Sequence, residues 1–134
     1  MVWLERVVYI SPFPLFFMTF VLLDTSFILT CVKQKIDFFN DLYEKGFKII
    51  IPIQVIHELE GLSKKELIAN LALTIIQKNE HKQIDLNTHN TDDGIINFAK
   101  KYPEKYIATL DEEIKNRTKN KKIVIRNQKK LEVV

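Results

Sequence analysis

Asp24 and Asp111 stand where a sequence of this kind can do chemistry. Each follows an apolar run, Phe20-Val21-Leu22-Leu23 for the first and Tyr106-Ile107-Ala108-Thr109-Leu110 for the second. Such runs read as strands buried on both faces of a parallel sheet. An acid ending such a strand emerges on the rim where open α/β sheets place their ligands. Glu58, in a helix after a strand and Pro52, and Asp92-Asp93, at a helix start, face that same rim. Carboxylates gathered in one place repel each other and rise in pKa unless a cation compensates. Oxygen-only donors suit a hard ion, Mg²⁺ or Mn²⁺. Ser26 and Thr109 add hydroxyls beside two of the acids, where they can orient carboxylates or waters. For any single acid, capping a helix is an equally good account. The whole set is harder to explain that way.

The elements that must position these acids alternate along the chain. After the first strand, Phe27 to Val32 starts a helical stretch, Ile36, Phe39, Leu42 and Tyr43 follow at helical spacing, and Gly46 is a natural C-cap. Phe47–Ile51 reads as a strand ended by Pro52, and Gln54–Leu62 as a helix. Ser63-Lys64-Lys65-Glu66 has the form of a capping box opening a helix with Leu67, Leu71 and Ile75 on one side. A short strand is expected around Ile84, and Thr91 is the expected N-cap of a helix through Lys100. A basic helix from Asp111 to Lys119, a strand at Ile123–Ile125 and an edge segment at Leu131–Val134 complete the reading. Strands alternating with helices predict an α/β fold, a three-layer α/β/α sandwich around a central, mainly parallel sheet.

At 134 residues, with 46% hydrophobic and 28% charged residues, the chain is one globular domain. Residues 1–17, which include a candidate strand at Trp3–Ile10 and the break Ser11-Pro12-Phe13-Pro14, read as an extension preceding a domain over 18–134. The apolar stretch Phe13–Leu23 is too short to span a bilayer, which needs about 20 residues, and it contains Pro14. No membrane partner is expected. The single cysteine, Cys31, forms no internal disulfide and points to a reducing, cytoplasmic compartment. Net charge is only +3, yet eight Lys or Arg and no acid lie between Ile114 and Lys130. Of these, Lys115, Arg117, Lys119, Lys121, Lys122 and Arg126 are the candidate contacts for a phosphate backbone, with Lys129 and Lys130 beyond them. A solvated helix and tail is the competing account. His57-Glu58-Leu59-Glu60-Gly61 opens like a zinc-protease helix, but Gly61 stands where the second His is needed. His81 and His89 fall in a polar loop and read as solvated.

Leu23-Asp24-Thr25-Ser26-Phe27, Pro52 with Val55-Ile56-His57-Glu58-Leu59, Asp92-Asp93-Gly94-Ile95-Ile96 and Ala108-Thr109-Leu110-Asp111 together resemble the PIN-domain nucleases. The tail, Ile123-Val124-Ile125-Arg126 and Lys130-Leu131-Glu132-Val133, is similar to archaeal relatives of the Fcf1/Utp24 ribosomal-RNA processing branch, with the VapC toxins next nearest. The resemblance implies a PIN-like fold and a metal-dependent endoribonuclease using Mg²⁺ or Mn²⁺ on single-stranded RNA, such as a ribosomal-RNA precursor. It also implies a homodimer as the common assembly. By it, the catalytic and metal-binding acids are Asp24, Glu58, Asp93 and Asp111, with Asp92 and Glu113 as further candidates. Asp93 is favoured over Asp92 because Ile96 and Ala99 then occupy the helix positions the family fills with apolar or small residues. Gly94 departs from the larger residue usual there and is expected to loosen the helix start. A non-catalytic RNA-binding or assembly module on the same fold is the reading from a different functional class.

Overall fold

A computed structural model describes residues 19–134. The proposed extension at 1–17, with its candidate strand, lies outside the described residues. The central strand β1 (Thr19–Leu23) has Val21, Leu22 and Leu23 fully buried. It pairs in parallel with β2 (Phe47–Pro52) on one side and β4 (Tyr106–Ala108) on the other, so that Leu22 is level with both Ile50 and Ile107. Beyond β2 lies β3 (Lys82–Ile84), and beyond β4 lie β5 (Lys122–Arg126) and then β6 (Lys130–Val133). The order is β3-β2-β1-β4-β5-β6, parallel throughout except for β6.

Alternate residues of β1 face opposite layers, as a strand's period of two requires. Val21 and Leu23 pack with residues of α1 (Thr25–Lys33), α2 (Phe38–Glu44), α3 (Ile53–Ser63) and α4 (Leu67–Lys78). Leu22 packs with Ile50 and Ile107, and with Ile95, Ile96 and Ala99 of α5 (Thr91–Lys101) and Ile114 of α6 (Glu112–Arg117). This is the three-layer α/β/α sandwich. Gly46, at a φ of 87°, makes the left-handed turn that follows α2.

Two local expectations give way. The Ser63–Glu66 capping box does not form: Ser63 ends α3, its hydroxyl donates to the Glu60 carbonyl, and Glu66 caps α4 without a side-chain hydrogen bond. Nor do Leu67 and Leu71 make the buried face of α4. They are 80% and 47% exposed, while Ala69, Ala72 and Ile76 face inward. The alanines let α4 lie close against α1 and α3, and closeness of backbones outweighs the size of the available side chains.

Candidate active site

Asp24 leaves β1 at its C-terminal end and is only 5% exposed. Both carboxylate oxygens are held. Oδ1 accepts from the Thr25 N–H at 2.8 Å as the cap of α1, and Oδ2 accepts from the Thr109 hydroxyl at 2.7 Å and the Ser26 hydroxyl at 3.4 Å. The Asp24 N–H donates to the Ala108 carbonyl at 2.9 Å, tying the ends of β1 and β4. Burial pushes the Asp24 carboxyl above the usual aspartate range. The three hydrogen bonds pull it back in part, and the charge of Glu58 pushes it further up.

Thr109 and Ser26 do more than hold Asp24. The Thr109 oxygen also accepts from the Asp111 N–H at 3.0 Å, and the Ser26 oxygen accepts from the Leu110 N–H at 3.2 Å. Each hydroxyl therefore clamps the short β4–α6 connection to the end of β1. Asp111 caps α6, its Oδ1 accepting from Glu113 N–H at 2.9 Å and Ile114 N–H at 3.1 Å. Glu58, on the second turn of α3, accepts a hydrogen bond from the Thr25 hydroxyl. Sequence alone does not single out Thr25, because no spacing links positions 25 and 58 until β1 and β2 pair.

The double acid separates cleanly. Asn90, not Thr91, caps α5, its side chain accepting from the Asp93 N–H at 3.1 Å. Asp92 and Asp93 then lie about 100° apart around the helix, so only one can turn toward the rim. Asp92 is that one: although exposed, it is partly desolvated, which raises its carboxyl first, and the charges of Asp111, Asp24, Glu58 and Glu113 each raise it further. Asp93 turns away, with its carboxylate 4.0 Å from the Arg117 guanidinium. The expectation that Asp93 completes the set thus meets a geometry that brings Asp92 to the other acids instead. The signal was present in the sequence. Steps of three, four and seven from Asp92 reach Ile95, Ile96 and Ala99, all buried, whereas the same steps from Asp93 reach Ile96, Asn97 and Lys100.

Four acids, the caps of α1 and α6 and residues of α3 and α5, therefore share one rim. Among the described residues, no three acidic, His or Cys groups are close enough to chelate one ion directly. Mg²⁺ needs no such cage, because it keeps several waters and is commonly held by one or two carboxylates. The oxygen-only donors and the raised Asp24 and Asp92 fit such an ion.

The model of the PIN like domain matches residues 21–130. The chain belongs to the PIN-like domain family. Ribonuclease VapC4 of Methanocaldococcus jannaschii is 31% identical over 123 residues, covering 82% of this chain and 92% of that protein. The solved PIN domain endonuclease Utp24 superposes with a TM-score of 0.73 at 26% identity, over 85% of this chain and 90% of that one. VapBC2 from Rickettsia felis, solved bound to a DNA fragment from its promoter, superposes with a TM-score of 0.51 at 15% identity. That match spans 78% of this chain and 98% of that one, and shares the fold alone.

In this PIN-like domain the basic segment after Asp111 is less uniform than its sequence. Lys115 pairs with Glu112 at 3.2 Å, Arg117 with Glu113 at 3.0 Å, and Arg126 with Glu132 at 3.4 Å. Lys122, expected among the RNA contacts, is a correction: it is buried, and its ammonium donates to the carbonyls of Thr118 (2.9 Å) and Asn120. Burial holds its pKa below the usual lysine range. Lys119 and Lys121 are exposed and form no ion pair among the described residues. Among those residues, no helix is long and apolar enough to cross a membrane.

Proposed function

We propose that this chain is a divalent-metal-dependent endoribonuclease that hydrolyses single-stranded RNA at Asp24, Glu58, Asp92 and Asp111. The observation that carries the reading is the convergence of acids from distant parts of the chain on the end of β1: Thr25 ties Glu58 to the Asp24 turn, Thr109 links buried Asp24 to Asp111, and the charges of these acids reach Asp92. Clustering carboxylates costs stability, and such an arrangement is sustained where a cation is bound in function. Mg²⁺ or Mn²⁺, when bound, supplies an activated water and offsets the charge that builds up at the scissile phosphate. The chain's own residues fix the frame. Asp24 is immobilised through both oxygens, Thr109 and Ser26 set the distance from β1 to Asp111, and Thr25 orients Glu58. Glu113 stands close enough for its charge to reach Asp92, and it pairs with Arg117 at 3.0 Å.

The family membership, a ribonuclease relative and an endonuclease neighbour support hydrolysis of RNA. The likeness of the tail to the Fcf1/Utp24 branch supports a ribosomal-RNA precursor as substrate. A second reading, a toxin ribonuclease, is favoured by the 31% identity to VapC4. Growth arrest on expression of this chain alone, relieved by a small DNA-binding partner, would select it. The primary test is Asp24→Asn. Several kcal/mol of transition-state stabilisation depend on the metal site, so cleavage should fall by about a thousandfold with an unchanged circular-dichroism spectrum. Cleavage at the wild-type rate in either ion refutes the assignment.

A further inference from the structure

Beside the acids, an open cavity of about 600 Å³ lies between the first turns of α3 and the loop from Asp85 to Asn90. It shares Glu58 with the acidic rim, and its other polar walls include His57, Asp85, Asn87 and His89. From this we infer that the cavity seats a nucleobase next to the scissile phosphate, one that carries an exocyclic amino group. The inference rests on the nuclease reading and deepens it by naming the nucleotide the site selects.

The loop is built, not slack. The Gln54 side chain donates to Asp85 at 2.8 Å and accepts from the Leu86 N–H at 3.1 Å, fixing the loop to the start of α3. Asp85 accepts from the Asn87 N–H at 2.7 Å, and Asn87 holds a left-handed φ of 55°, which Asn tolerates. On the other side the loop presses on α5 at Gly94. A Cβ there would stand 2.4 Å from Thr88 Cγ2 and 2.9 Å from Leu86 Cβ, so the close approach needs glycine. The expectation that Gly94 loosens the helix start is thereby reversed: its missing side chain locks the loop to the helix.

The wall chemistry names the ligand. Glu58 and Asp85 make the cavity unsuited to phosphate, but a carboxylate accepts well from an amino group on a base edge. The His57 and His89 rings offer flat surfaces of the kind that hold unstacked RNA bases. A volume of about 600 Å³ lies within the range of small-ligand sites. His89, read from sequence as solvated, becomes part of this wall.

The test follows histidine-ring resonances of the whole chain in chelator, with phosphate-free adenosine, cytidine and uridine as probes. Adenosine and cytidine should shift the His57 and His89 rings saturably while uridine does not. His81, whose ring is engaged by the Asn79 carbonyl at 2.8 Å, should stay still. His89→Ala should weaken adenosine binding about tenfold, the scale of removing one stacking ring. A second arm measures cleavage of single-stranded oligoribonucleotides that differ only at the base beside the cut. Wild type should prefer the amino-bearing base, and Asp85→Asn, which keeps the Oδ1 acceptor that holds the loop but removes the carboxylate charge, should lose that preference. Ring shifts without cleavage in any ion would sink the nuclease reading and keep the base site. Cleavage indifferent to the base, with still rings or equal shifts for uridine, would overturn the base site and leave the nuclease reading standing.

Discussion

The acidic rim and the basic segment that follows it handle charge in opposite ways. On the rim, carboxylates from four helices face one another, and Asp24 and Asp92 are held above their usual range. In the segment from Lys115 to Arg126, three of the cations meet a nearby acid and a fourth is buried on carbonyls. Exposed ion pairs of this kind contribute about 0–1 kcal/mol each and serve mainly as a solvated surface. Like charges kept together mark a site that needs something from outside the chain. Opposite charges that pair locally mark a surface that is already satisfied.

The sharpest break in this comparison is between two adjacent residues. Asp92 faces the rim and Asp93 faces Arg117. Asp92→Asn should therefore lower RNA cleavage by about a hundredfold, a loss of roughly 2.7 kcal/mol in the transition state. Asp93→Asn should cost activity less than threefold, its acid mainly favouring the helix N-terminus by about 0.3–1 kcal/mol. Equal or reversed losses in single-turnover kinetics would remove Asp92 from the site.

Two glycines sharpen the contrast in packing. Gly61, within α3, has open space where a Cβ would go, and Gly61→Ala should stabilise by about 0.5–1 kcal/mol through helix propensity alone. Gly94→Ala should destabilise by about 1–3 kcal/mol, because the added carbon overlaps Thr88 and Leu86. Urea denaturation of both variants checks the opposite signs.

Stability against pH tests what burial and the neighbouring Glu58 cost Asp24. Asp24 has a raised carboxyl, so the folded state binds its proton more tightly than the unfolded state does. Its contribution is therefore fully present below the unfolded value of about 4 and is lost as pH rises through the folded one. In chelator at pH 7, Asp24→Asn should melt at a higher temperature than wild type, with the gap closing below about pH 4. A gap independent of pH would mean that burial and the charge of Glu58 do not raise the Asp24 carboxyl.

The smallest effects belong to the basic segment. Replacing Lys119 and Lys121 by Ala should flatten the salt dependence of RNA binding by about 0.7 for each phosphate no longer neutralised. The Lys115 and Arg117 double variant should change it by less, because both side chains are paired with Glu112 and Glu113. Lys122→Ala should lower stability and leave the salt slope alone, its ammonium being occupied by Thr118 and Asn120. Filter binding across a salt series separates the three.

What was legible in the sequence followed from periodicity and strand ends. Uninterrupted apolar runs located β1, β2 and β4, and a strand-ending acid needs only the direction of the chain to be placed on a rim. What was not legible depended on how closely backbones approach. The inward face of α4 falls to Ala69 and Ala72 rather than to larger leucines, and Gly94 serves a loop whose position no local pattern encodes. The α5 cap falls one residue earlier than expected, on Asn90, while Thr91 is buried. Lys122 looked like its basic neighbours because burial is a property of the β5 register, not of the residue.

The central claim is that the acids on the rim bind a divalent ion together. Crystals grown with Mn²⁺ and measured at its absorption edge test it most directly, because anomalous density locates the ion without reference to activity. The predicted result is density beside Asp24, reached directly or through water by Asp92, Asp111 and Glu58, with Asp93 left outside. Density at Asp93 and away from Asp24, or none on the rim at saturating Mn²⁺, would contradict it.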